Sequence, residues 1–192
     1  KIRSTNAGTN GASGMLVFSS GSASKGNSGL VMIGSGAATT GRGGSVAISV
    51  GSGDSGVGGY MSILAGRSDS VTGGKLFIDG GEGTATTSGT VKIRSANAGT
   101  NGASGMLVFS SGSASKGNSG LVMIGSGAAT TGRGGSVAIS VGSGDSGVGG
   151  YMSVLAGRSA IHTGGSLSAF SGEGTATTSG YVMLRSANSG TN

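Results

Sequence analysis

Apolar residues alternate with small or polar ones in short bursts, and each burst follows a glycine. Gly29-Leu30-Val31-Met32-Ile33 and Gly44-Ser45-Val46-Ala47-Ile48 show the pattern. The leading glycines stand 15 residues apart at Gly14, Gly29, Gly44, Gly59, Gly74 and Gly89. After one 16-residue step they resume at Gly105, Gly120, Gly135, Gly150, Gly165 and Gly180. Alternation with period two predicts an extended strand, and one strand per short fixed repeat predicts coils that stack. The expected fold is all-β: a single β-solenoid, or β-helix, of 15-residue coils running from residue 1 to 192.

Numbering each coil from its glycine sorts the side chains into columns. The third position holds Leu16, Val31, Val46, Met61, Leu76 and Val91, and the fifth holds Phe18, Ile33, Ile48, Ile63, Ile78 and Ile93. Two residues apart, these share one face of a strand, and they are the expected core columns. The tenth position (Ala23, Ala38, Gly53, Ser68, Gly83, Ala98) is small throughout, which predicts a second wall lying close to the first. The second and fourth positions should face outward, yet Met15, Val17, Leu30 and Met32 are apolar, as are Met106, Val108, Leu121 and Met123. Tyr60, Leu64 and Phe77 extend this strip in the first half. An outward apolar strip marks a lateral contact with another rod or another stretch of the same array.

A longer period encloses the short one. Lys1-Ile2-Arg3-Ser4 returns as Lys92-Ile93-Arg94-Ser95, 91 residues later, and Asn6 to Ser62 is identical to Asn97 to Ser153. Six coils therefore form one super-repeat: 1–91, then 92–182, with 183–192 beginning a third. Past Ile63 the copies drift. Asp69-Ser70-Val71 becomes Ala160-Ile161-His162, and Lys75-Leu76-Phe77-Ile78-Asp79 becomes Ser166-Leu167-Ser168-Ala169-Phe170. Coils about 4.8 Å apart would give a super-repeat rise of roughly 29 Å. The chain starts inside a strand and shows no capping coil, so it reads as an excerpt of a longer array or a polymer.

Composition narrows the chemistry. Of 192 residues 46 are glycine, with no Pro, Cys or Trp, and the net charge of +6 is spread over a charged fraction of only 9%. Collagen is excluded because glycine is not every third residue. No apolar run is long enough to span a membrane as a helix. Lys25, Arg42, Arg67, Lys75, Lys92 and Arg94 fall at scattered coil positions without stacking aromatics, which argues against nucleic acid as a partner. Stacked coils would pair Asp79 with Arg94 and Arg67 with Glu82, and would set Asp54 beside Asp69 as solvated surface charge.

Apparent motifs dissolve on inspection. Gly51-Ser52-Gly53-Asp54-Ser55-Gly56 fits the dinucleotide glycine pattern, but no helical periodicity follows it. The single histidine, His162, has no counterpart in the first copy, and zinc ligands are missing. The expectation is no enzyme, no catalytic, cofactor or metal residues, and no cofactor. Besides the chain itself, the partners that the composition admits are anionic polysaccharide and O-linked glycans. Corner segments such as Thr84-Ala85-Thr86-Thr87-Ser88 would carry the glycans.

In coil length and small-residue content the chain is similar to insect and plant antifreeze proteins. It lacks their implied flat threonine rows, since Thr39-Thr40, Thr72 and Thr86-Thr87 are out of line. Through stretches such as Gly43-Gly44-Ser45-Val46-Ala47-Ile48-Ser49-Val50-Gly51-Ser52-Gly53 it resembles the Gly/Ser-rich tandem-repeat β-solenoid proteins of microbial and protist extracellular fibres. That resemblance covers the whole chain and implies an extracellular or cell-surface filament with a structural role. The alternative expectation is an ice-binding or carbohydrate-binding β-solenoid module.

Overall fold

The structure is a computed structural model that describes residues 2–9, 11–188 and 190. Among them there is no helix and no strand, so the all-β solenoid, or β-helix, expected from the 15-residue period is not formed. Successive coils do not stack as a ladder. Backbone hydrogen bonding is instead confined within each repeat, as a small set of loop closures and tight turns. The chain divides into two units, Lys1–Ile93 and Arg94–Asn192, whose repeats have the same local design.

Each 15-residue repeat has an unbent part and a loop. In eight of the repeats the loop begins at the eighth position and closes on the glycine that leads the next repeat. In the first unit the closing bonds are Gly44 N–H to Gly36 O (3.0 Å), Gly59 to Gly51 (3.2 Å), Gly74 to Gly66 (2.8 Å) and Gly89 to Gly81 (2.8 Å). The second unit repeats them from Gly135 to Gly127, Gly150 to Gly142, Gly165 to Gly157 and Gly180 to Gly172. Within the loop the chain bends at the eleventh to thirteenth positions, for example at 39–41, 54–56 and 69–71. The 16-residue step is accommodated differently, by a tight turn in which Gly102 N–H donates to Gly99 O at 3.3 Å.

Close approach explains two of the small-residue columns. A Cβ on Gly74 would stand 3.0 Å from the backbone nitrogen of Gly66, and one on Gly89 would stand 3.1 Å from that of Gly81. At these two the leading glycine lets two backbone segments meet where a side chain would separate them, whereas at Gly29, Gly44 and Gly59 the nearest neighbour is a side chain, of Ser20, Ser35 and Val50. The tenth position is small for another reason. A Cβ on Gly53 would lie 2.7 Å from the Gly56 carbonyl oxygen, and one on Gly83 would collide with the carbonyl of Thr87. At Gly53 and Gly83 the carbonyls of the bend turn inward over that position, so glycine there belongs to a local bend rather than to the expected second wall.

Where the tenth residue is serine, its side chain joins the bend. Ser68 Oγ accepts from Val71 N–H at 3.1 Å, and Ser159 Oγ accepts from His162 N–H at 2.9 Å. The bend survives although Asp69-Ser70-Val71 has been replaced by Ala160-Ile161-His162, because the bond depends only on the serine hydroxyl and a backbone donor. The repeats led by Gly14 and Gly105 lack the closing bond between loop ends. Their bends instead carry a left-handed glycine, Gly26 and Gly117, each at φ 100°.

No described residue is buried. The solvent-accessible surface of the chain is 19292 Å², whereas a globular protein of this mass exposes about 8,000 Å² and an extended chain about 26,000 Å². The physical reason lies in composition. Two large inward side chains per repeat yield little hydrophobic gain, and glycine-rich backbone loses the most entropy on ordering. A ladder between coils must order every residue of each paired segment, whereas a loop closure fixes only its ends, and the closures are what forms.

Candidate functional site

With no enclosed core, the candidate site is the set of apolar side chains on the extended part of each repeat. From the second to the seventh position each segment has no turn or bend, and among the described residues its backbone is not hydrogen-bonded to another segment. The third-position residues Leu16, Val31, Val46, Met61, Leu76 and Val91 are about half covered, with 47–54% of their surface exposed. The fifth-position residues Phe18, Ile33, Ile48, Ile63, Ile78 and Ile93 are more open, at 53–76%. Neither column is buried, so the enclosed core expected of them is absent.

The outward strip is more open still at its second positions. Met15, Leu30, Met106 and Leu121 are among the most exposed apolar side chains, as are the fourth-position Met32 and Met123. Val17 and Val108 are less so. Tyr60, Leu64 and Phe77 are likewise exposed. The structure therefore presents both faces of the extended segment to solvent, the outward strip and the would-be core together. Of the second to fifth positions the third is the most covered, and the second and fourth are mostly the most open.

Charge is sparse around this surface. The segments Met15–Phe18 and Leu30–Ile33 contain no ionisable residue. Among the described residues the one ion pair joins Arg67 to Asp69 across a bend, with both side chains largely exposed. The stacked pairs Asp79–Arg94 and Arg67–Glu82 are not formed, because the coils that would stack them are not stacked. Asp54 and Asp69 sit in separate bends. Arg158 has no acid to pair with across its bend, since Ala160 replaces Asp69 there.

Chemistry beyond association finds no convergent groups. Among the described residues no three His, Cys, Asp or Glu side chains are placed to hold a metal ion. His162 lies in a bend, and its backbone N–H is the group engaged there. The stretch Gly51–Gly56 leads into a bend and then into extended chain, with no helix to receive a phosphate. A concavity of about 310 Å³ is lined by four consecutive residues, Arg185, Ser186, Ala187 and Asn188, so it is a local curl of the chain. Among the described residues no helix is long and apolar enough to cross a membrane.

No protein-family model, curated protein or solved structure matches this chain.

Proposed function

We propose that the chain is a structural repeat segment of an extracellular filament, in which copies cohere through the apolar side chains of their glycine-led segments. One observation carries this reading. The chain leaves those side chains open at the same positions in repeat after repeat, and Asn6–Ser62 and Asn97–Ser153 carry them in identical order. A second copy of the chain offers the same strip at the same spacing, so contacts made by one repeat are available to the next.

The chemistry favours such contact. Each apolar side chain moved from water into a contact contributes about 1.5–3 kcal/mol when fully buried. The segments Met15–Phe18 and Leu30–Ile33 bring no charge that would need desolvation. Weak contacts repeated along a tandem array add through effective concentration, so a long array coheres where one repeat would not. The extracellular setting rests on the resemblance to Gly/Ser-rich fibre proteins, and glycans on the Ser/Thr-rich loops belong to the same proposal.

The test is assembly against concentration. Sedimentation velocity and electron microscopy of the purified chain should show monomer at nanomolar concentration and filaments or bundles at high micromolar concentration. A chain that stays monomeric up to millimolar concentration would end the proposal.

A further inference from the structure

We infer that Met15, Met32, Met106 and Met123 are oxidation sites through which peroxide controls self-association of the chain. The inference rests on the association proposed above and adds its regulation.

The placement of sulfur carries it. The chain has no cysteine, so its seven methionines hold all of its sulfur. Four of them stand in the charge-free segments, at the second position of one repeat and the fourth of the next, and they are 81–86% exposed. The other three, Met61, Met152 and Met183, are only 47–62% exposed. The thioethers most open to an oxidant are therefore those that a second copy of the chain would cover. The same arrangement occurs in both units, so every copy brings two such pairs.

The chemistry is a two-electron transfer. The thioether sulfur attacks one oxygen of a hydroperoxide, the O–O bond breaks, and the products are a sulfoxide and water (or an alcohol). A dithiol reductant reverses the change, giving back the thioether with a disulfide and water. The sulfoxide is polar and chiral, and it replaces a pliable apolar group at a contact. A side chain that had favoured contact then requires desolvation to make it. Because contact covers these sulfurs, assembled chains are shielded while free chains are not. Peroxide thus stops growth before it attacks what has already formed.

The test uses the full chain with hydrogen peroxide as the oxidant. Intact mass and peptide mapping follow oxygen uptake, and the soluble concentration at equilibrium with assembled material is measured before and after treatment. Oxidation is expected first at Met15, Met32, Met106 and Met123, and the soluble concentration should rise at least about tenfold. Two methionine sulfoxide reductases, one for each sulfoxide epimer, with a dithiol should restore the starting value. In the variant with Met15→Leu, Met32→Leu, Met106→Leu and Met123→Leu the soluble concentration, whatever its starting value, should be the same before and after peroxide. If untreated parent fails to assemble, this inference falls together with the functional reading beneath it. If untreated parent assembles and the oxidised parent assembles equally well, this inference alone falls. A peroxide effect that persists in the leucine variant also overturns it.

Discussion

Adding one methyl group to Gly74 should open the loop it closes. Gly74 N–H donates to Gly66 O at 2.8 Å, and a Cβ at residue 74 would stand 3.0 Å from Gly66 N and 3.3 Å from Gly66 O. Both atoms are backbone, so relief requires the two segments to part, and the bond between them goes first. A net backbone hydrogen bond is worth about 0.5–1.5 kcal/mol, which corresponds to a shift of about 2- to 12-fold in the closing equilibrium. An alanine also restricts the unfolded chain, a gain of about 0.4–1 kcal/mol where the site accommodates it. At Gly73, whose Cβ would meet Gly66 O at an ordinary 3.5 Å, only that gain applies. Amide hydrogen exchange by NMR separates the two cases. In Gly74→Ala the amide of residue 74 should lose its protection, after correction for intrinsic rates, while Gly165 to Gly157 in the second unit provides an untouched loop within the same molecule. In Gly73→Ala protection at Gly74 should hold or rise. Equal protection in both variants would refute the account of the leading glycine as a site of backbone contact.

Three further outcomes are expected. Heating or urea applied to the dilute chain should give no cooperative transition, with a heat-capacity change well below the roughly 2–3 kcal/mol/K of a globular chain this long; a sharp two-state calorimetric peak would contradict the open structure. Asp69→Ala should leave its bend unchanged, as the second copy already shows with Ala160, whereas Ser68→Ala should loosen it by about 0.5–1.5 kcal/mol; comparison of the Val71 amide exchange in the two variants checks this. Replacing Met15, Leu30, Met32, Met106, Leu121 and Met123 together by Ser should abolish assembly while the circular dichroism of the monomer stays the same; persistence of filaments would place the contacts elsewhere.

Much of the local design is legible in the amino-acid order. The glycine period marks where each loop closes, and the small tenth position marks where each bend turns inward, as at Gly53 and Ser68. What the order does not convey is the range of the interactions. Alternation at Val46 and Ile48 says that these residues share a face, but says nothing of whether another segment covers that face. A solenoid needs each extended segment to pair with the next, 15 residues away, and that pairing is a balance between backbone entropy and a thin apolar surface. Here the local bonds form and the longer-range ones do not. The apolar strip expected to face outward is exposed, and the residues expected to form a core are less exposed but not enclosed, because no segment covers them.

The one backbone bond that shuts each of eight loops has a mechanical consequence. Pulling on the chain would rupture closures one by one, since no ladder couples neighbouring repeats. The eight residue-to-residue steps from Gly36 to Gly44 span ~30 Å when taut, so each rupture would release roughly 20 Å of slack. Eight such closures in series would let the chain lengthen by roughly 160 Å before its backbone bore the load, and a force–extension trace without such stepwise lengthening would contradict this.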